Sequence, residues 1–100
     1  MAIDLFCYFS VDREIVDVGR DELVRDCGRL FSSVFVISPA KDVDSMLAEV
    51  ADEFGFSAKS FCMVSLNIKE SANLIGFASK SLKDKFGENI LILQENEHKL

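Results

Sequence analysis

The sequence predicts one small α/β (or α+β) domain, in which about three helices pack on a single mixed sheet of four to five strands. Segments that are continuously apolar or that alternate are typical of strands, and they are interspersed with segments that carry a helical apolar repeat. The chain has 100 residues, the size of one domain, and 49% of them are hydrophobic. This is enough for one core, so we expect residues 1–100 to form a single compact domain.

The clearest strand is Phe61–Ile68, and we expect the other elements to be arranged around it. Its first four residues are apolar without alternation, which is typical of a strand covered on both faces, and from Val64 onward apolar and polar residues alternate. Further strands are predicted at Ile3–Ser10, Val34–Ile37 and Asn89–Gln94. A short additional strand within residues 11–19 is expected to turn back on the first near Asp12–Arg13. The polar tail, residues 95–100, is expected to fray.

Three segments carry an apolar stripe at helical spacing and are predicted to be helices. They run from Arg20 through Phe31, from Ser38-Pro39 or Asp42 to Phe54, and from Ala72 to about Phe86. Gly55 and Gly87 follow the last two as stop signals. Residues 11–19 are excluded from the first helix because Ile15, Val16 and Val18 share no helical phase with its stripe and Gly19 disfavours a helix.

Enzyme chemistry is not predicted. The three cysteines, Cys7, Cys27 and Cys62, are widely spaced within apolar patterns, which favours reduced, buried thiols in a cytosolic protein over disulfides or a metal site. The single histidine, His98, lies in the predicted tail, so a nucleophile activated by histidine has no partner. No glycine-rich cofactor motif and no apolar run of membrane-spanning length is present. We therefore predict no catalytic residue, no metal, no cofactor and no membrane partner.

The charge of the chain points to the class of partner. Seventeen acidic residues against eleven basic ones give a net charge of −6. A protein of this sign is repelled by phosphate backbones and anionic lipids, so nucleic acid and membranes are disfavoured and a basic protein is favoured. The alternative is that the charge only keeps a small domain soluble.

A face of uncompensated carboxylates is predicted on the second helix. Helical geometry places four acidic residues in an arc of about 100°, opposite the apolar stripe. These residues are Asp42, Glu49, Asp52 and Glu53. We predict that they bind the basic partner, helped by Asp12 and Glu14. The alternatives are a face that is only solvated and a carboxylate site for catalysis or metal.

Phe77 lies off the apolar stripe of the third helix, among polar residues, and we predict that it contributes to the partner interface. Packing under a neighbouring loop is the alternative.

Two other functions stay open. A homo-oligomeric structural subunit would bury Phe77 or a strand edge against a second copy. A small-ligand or anion site would form in a largely parallel sheet, where helix-preceding loops gather Ser38, Lys41, Asn67, Lys69 and Ser71.

A small acidic domain without active-site chemistry is similar in profile to small immunity proteins and antitoxins. The resemblance rests on size, charge and the missing catalytic machinery, and no motif carries it. It implies a non-catalytic bacterial protein that acts in the cytoplasm and neutralises a basic, nuclease-type toxin by covering it with an acidic surface.

Overall fold

A computed structural model describes residues 3–26, 35–66, 75–94 and 98–99. These ranges contain six strand segments and three helices. The strands are β1 (Ile3–Phe9), β2 (Phe35–Ile37), β3 (Lys41–Asp42), β4 (Ser60–Leu66), β5 (Ile90–Gln94) and β6 (His98–Lys99). The helices are α1 (Arg13–Asp26), α2 (Ser45–Glu53) and α3 (Ile75–Phe86), and a 3₁₀ turn at Gly87–Asn89 joins α3 to β5.

The strands form one sheet in the order β2-β4-β1-β5-β6, and β3 pairs with β4. Every pairing within the described ranges is antiparallel. Because β4 and β5 both run antiparallel to β1, they run parallel to each other, and the connection through α3 crosses over β1. The predicted arrangement of about three helices on one sheet is confirmed, in its α+β form, but the described sheet is antiparallel and not mixed. The middle of the sheet is β1, whereas the sequence favoured β4.

Alternate side chains of β1 enter two separate cores, because neighbouring residues of a strand point to opposite faces. Leu5, Cys7 and Phe9 are buried with residues of α1 and α3 on one face. Tyr8 is buried with Ala51 of α2 on the other face. The molecule therefore has three layers, with α1 and α3 on one side of the sheet and α2 on the other.

Most predicted elements correspond to observed ones. The predicted strands at residues 3–10, 34–37, 61–68 and 89–94 match β1, β2, β4 and β5, and the last predicted helix matches α3. Gly55 and Gly87 end α2 and α3 in the left-handed conformation, with φ of 71° and 58°. The predicted positions that lie outside the described residues are 27–34, 67–74, 95–97 and 100. His98–Lys99, in the predicted polar tail, pairs with β5.

The prediction of a strand within residues 11–19 is wrong, because α1 already begins at Arg13. Val16, Gly19 and Leu23 share one face of this helix and are buried against the sheet and α3. Gly19 fits there because a Cβ would lie 2.6 Å from Cζ of Phe86, so the ring occupies the space a side chain would need. Val16 is therefore in phase with the buried face, contrary to the prediction. Ile15 and Val18 lie outside that face and are exposed, at 56% and 60%.

The prediction that a helix begins at Ser38-Pro39 or Asp42 is also wrong. Ser38 continues the edge of the sheet: its N–H donates to the Met63 carbonyl at 2.9 Å, and its Oγ accepts from the Met63 N–H at 2.8 Å. The chain then pairs again with β4 through β3. Helix α2 begins at Ser45, and Asp44 is its N-cap, with Oδ1 accepting from the Leu47 N–H at 2.8 Å. Asp42 consequently lies outside α2.

Replacing Gly19 with alanine is expected to destabilise the protein. The added Cβ would displace Phe86, whose ring packs edge-on against Phe9 with centroids 4.8 Å apart. Overpacking typically costs about 1–3 kcal/mol, which outweighs the gain of up to about 1 kcal/mol from removing a helical glycine. Urea unfolding of Gly19→Ala and wild type at equal temperature measures the difference.

The matched control is Gly76→Ala in α3, where an added Cβ meets no atom within 4 Å. This variant should be as stable as the wild type or slightly more stable, because alanine favours a helix over glycine. Equal stability of the two variants would contradict the close approach of Phe86 to α1.

Candidate partner-binding surfaces

Three of the predicted carboxylates form one surface on α2, which we call the α2 acidic surface: Glu49, Asp52 and Glu53. All three are exposed, while Leu47, Val50 and Ala51 face the sheet. In the described part of the chain no ion pair involves any of the three carboxylates. The surface is therefore free to attract cations from outside the molecule.

Asp42, the fourth predicted carboxylate, belongs to a different surface. Its Oδ2 lies 4.0 Å from Nη1 of Arg13, and Nε of the same arginine lies 3.5 Å from Oε1 of Glu14. The expectation that Asp42 has no basic neighbour is thus wrong, because folding brings Arg13 to it from α1. Asp12 immediately precedes this helix. The predicted acidic residues therefore fall into two groups, with Asp12, Glu14 and Asp42 around the start of α1 and the α2 acidic surface across the sheet.

One flank of α1 is fixed to the edge of the sheet by side chains one turn apart. Asp17 Oδ1 accepts from the Ala40 N–H at 3.0 Å, and Arg20 Nε donates to the Ile37 carbonyl at 3.3 Å. Arg13 reaches Asp42 in the same row. This flank is committed to contacts within the protein, so a partner would meet α1 from its other flank.

The other flank of α1 faces a groove of about 490 Å³ that runs to the junction of α3 and β5. We call it the α1 groove; its lining residues are Val11, Glu14, Ile15, Val18, Gly19, Glu22, Lys85, Phe86 and Asn89. Ile15 and Val18 are more than half exposed along it. This site was not predicted from the sequence, because both residues were assigned to a strand. A helical reading would have shown two aliphatic residues beside the buried stripe.

The polar residues of the α1 groove differ in how far they are already paired. Glu22 forms an ion pair with Lys85 of α3, and the hydrogen bond from the lysine ammonium lowers the pKa of the Glu22 carboxyl. Asn89 Oδ1 accepts from Ser10 Oγ at 2.8 Å. The Glu14 side chain is 74% exposed, with Arg13 as its neighbour. The negative charge that is most accessible to a partner is therefore that of Glu14.

A smaller groove of about 300 Å³ lies between the start of α2 and the sheet. Its lining residues are Phe6, Lys41, Asp44, Met46, Leu47, Val50, Phe61 and Met63. It already contains a cation, because Nζ of Lys41 lies 5.5 Å from the centre of the Phe61 ring. The carboxylate of Asp44 is occupied by its capping hydrogen bond. This second groove is consequently less suited to a cationic partner.

Phe77 is 55% exposed on α3, as its off-phase position predicts, and its role in binding stays a prediction.

The alternative anion site required a largely parallel sheet, whereas the described pairings are antiparallel. Ser38 Oγ is hydrogen-bonded to Met63, while Asn67, Lys69 and Ser71 lie outside the described residues.

Two of the three cysteines are buried free thiols at directly opposite positions of neighbouring strands, Cys7 on β1 and Cys62 on β4. The hydrogen bond with Cys62 and burial both raise the pKa of the Cys7 thiol, so it stays protonated and is a poor nucleophile or metal ligand. Cys27 lies outside the described residues.

Among the residues that the structure describes, no three His, Cys, Asp or Glu side chains could together hold a metal ion. No helix in the same part of the chain is both long and apolar enough to span a membrane.

Comparison with known proteins gives consistent matches over nearly the whole chain. Residues 1–98 match the family model described as CDI System Immunity Component. The chain is 49% identical over 100 residues to Immunity protein CdiI-2 of Burkholderia pseudomallei (strain 1026b), covering 99% of each protein. It is also similar to a chain of the solved CdiA-CT/CdiI toxin and immunity complex from Burkholderia pseudomallei. That match has a TM-score of 0.94 and 47% identity, and it covers 97% of this chain and 95% of the other.

Replacing Glu22 with glutamine is expected to lower stability at neutral pH and to have no effect in acid. The ion pair with Lys85 lowers the pKa of Glu22 in the folded state, so its contribution is present above the unfolded pKa and is lost as the pH falls through the folded pKa. Melting temperatures of Glu22→Gln and wild type should therefore converge on acidification.

Glu53→Gln serves as the control, since it removes a carboxylate that has no ion pair among the described residues. Its melting temperature should equal that of the wild type both at neutral pH and in acid. A difference between Glu22→Gln and wild type that is unchanged in acid would contradict the ion pair.

Proposed function

Because the chain belongs to the CDI system immunity component family, we propose that it neutralises a toxin of the CdiA-CT type by binding it directly, without catalysis. The observation that carries the proposal is the near full-length match, in sequence and in backbone, to a protein solved in a toxin and immunity complex. A match confined to the sheet would support a shared fold alone. Here it includes the helices that present the candidate surfaces.

The toxin's binding surface is proposed to be cationic. The net charge of −6 attracts a basic protein, and the α2 acidic surface has no counter-charge of its own within the described residues. Exposed carboxylates of this kind act mainly on the encounter: complementary charge raises the association rate but adds less to the lifetime of the complex. The same acidic groups would compete with nucleic acid for a nuclease-type active site.

The buried free thiols support a cytoplasmic site of action. Cys7 and Cys62 are opposite each other and unlinked, which is compatible with a compartment that keeps thiols reduced. We therefore propose that the protein intercepts the toxin inside the cell.

The first experiment measures binding of this chain to the purified CdiA-CT fragment of the Burkholderia pseudomallei complex. Co-expression of the chain should also restore growth of cells that produce the fragment. We expect a stable complex with the wild type and recovery of growth. A wild-type chain that neither binds nor protects would contradict the proposed function.

Reversing the α2 acidic surface with Glu49→Lys, Asp52→Lys and Glu53→Lys is expected to slow association with that fragment at low salt by about tenfold or more, since electrostatic steering changes on-rates by about 10- to 1,000-fold. Stopped-flow or surface-binding kinetics at about 0.01 M and 0.15 M ionic strength measure the effect. The slowing should weaken at the higher ionic strength, where the screening length falls from about 30 Å to about 8 Å.

The control keeps the shape of the surface and changes only its charge, with Glu49→Gln, Asp52→Asn and Glu53→Gln. This variant should associate at an intermediate rate and melt like the wild type. If the lysine variant associates as fast as the wild type at low salt, the carboxylates are only solvated and do not attract the toxin.

A further inference from the structure

We propose that the α1 groove is the anchor of the toxin complex and receives an apolar side chain from a toxin segment that carries a lysine or arginine beside it. This inference rests on the proposed function and goes beyond it by naming the contact surface and the chemistry of the segment. The acidic surface of α2 then acts during approach, while the α1 groove determines how long the complex lasts.

The shape of the groove favours a side chain inserted from outside. Its volume of about 490 Å³ lies within the range of about 300–1,000 Å³ that is usual for ligand pockets. Ile15 and Val18 stand along one side, and the Phe86 ring lies against the backbone of α1 at Gly19. Phe86 is held in turn by its edge-on contact with Phe9. The groove is therefore formed in the free protein, which reduces the ordering needed on binding.

The exposed aliphatic residues are not explained by the fold. Ile15 is 56% exposed and Val18 is 60% exposed, while the core contacts of α1 are made by Val16 and Leu23. Interface hot spots lie in well-packed pockets from which binding removes water. Ile15 and Val18 have this arrangement, and the opposite flank of α1 is held by the sheet edge.

The charges at the groove determine which segment fits it. Glu22 and Lys85 form an ion pair in which both side chains are mostly covered. Glu14 also has an ion pair, with Arg13 at 3.5 Å, but both of these side chains are more than half exposed, so the Glu14 carboxylate stays accessible at the groove. A cation of the toxin would therefore lie near Glu14, with the apolar side chain next to it inserted toward Phe86. The second groove does not offer this combination, because Lys41 already lies within it.

The test is the double variant Ile15→Ala and Val18→Ala, measured against the CdiA-CT fragment of the Burkholderia pseudomallei complex at about 0.15 M ionic strength. Both residues are exposed and alanine favours a helix, so the variant should melt at or above the wild-type temperature. We expect its dissociation rate to rise by about 30-fold or more, the factor that corresponds to an interface hot spot. Glu14→Lys should also speed dissociation.

The matched control is Met46→Ala, which removes a side chain that is 71% exposed in the second groove. It should dissociate at the wild-type rate. The inference would be overturned if the complex of Ile15→Ala/Val18→Ala dissociated at the wild-type rate. It would also be overturned if Met46→Ala raised the dissociation rate as much as the double variant does.

Two further outcomes are distinguishable. If ultracentrifugation shows that the wild type is a dimer and that Ile15→Ala/Val18→Ala is a monomer, the occupant of the groove is a second copy, and the inference is overturned. If the wild type fails to bind the fragment at all, it is the proposed function that fails.

Discussion

The structure depends on the burial of both faces of β1. This strand pairs with β4 on one side and with β5 on the other, so its backbone hydrogen bonds are made within the sheet. Its side chains alternate between two cores, with Leu5 and Tyr8 both at 0% exposure on opposite faces. A strand that is apolar on both faces requires cover on both faces. The division of the helices into two layers follows from this requirement.

The layers also determine how the candidate surfaces are separated. Because α1 and α2 lie on opposite sides of the sheet, the acidic residues around the start of α1 and those of α2 form two separate groups. The α1 layer combines acidic and aliphatic groups, because its first turns lie next to the end of α3. The packing of Phe86 against Gly19 brings the two helices close enough to form a groove without closing it. The same contact thus serves both stability and the proposed binding surface.

The sequence predicted those parts of the fold whose pattern is local. Strands β1, β4 and β5 follow from runs of apolar residues, and the ends of α2 and α3 follow from Gly55 and Gly87. The start of α2 was placed too early, because Ser38 and Asp42 are both residue types that cap helices. The pairing of Ser38 with Met63, 25 residues away, and of Asp42 with Ser60 keeps both in the sheet, and Asp44 is the cap. The first half of α1 was missed for a related reason, since hydrophobic periodicity assumes that aliphatic residues are buried.

Of the candidate site, the sequence predicted charge better than shape. Net charge is a property of composition and does not change when an element is misassigned. The inference that the protein attracts cations is therefore independent of the error at residues 11–19. The grouping of Asp42 with Glu49 assumed one continuous helix and failed once β3 separated them. A groove between α1 and α3 depends on contacts between residues about 70 positions apart, such as Gly19 and Phe86, and no local pattern encodes it.

The difference between a charged surface and a shaped groove determines how such a protein could distinguish among toxins. A net charge of −6 attracts any cationic protein, so the acidic surfaces alone provide little discrimination. A concave apolar site accepts only a segment whose side chain fills it and whose cation reaches Glu14, and a poor fit leaves polar groups without partners. On the proposed arrangement, the residues that determine specificity are those of the α1 groove. On the same proposed arrangement, the carboxylates of α2 determine how quickly a toxin is captured, because they act before water is removed from the interface.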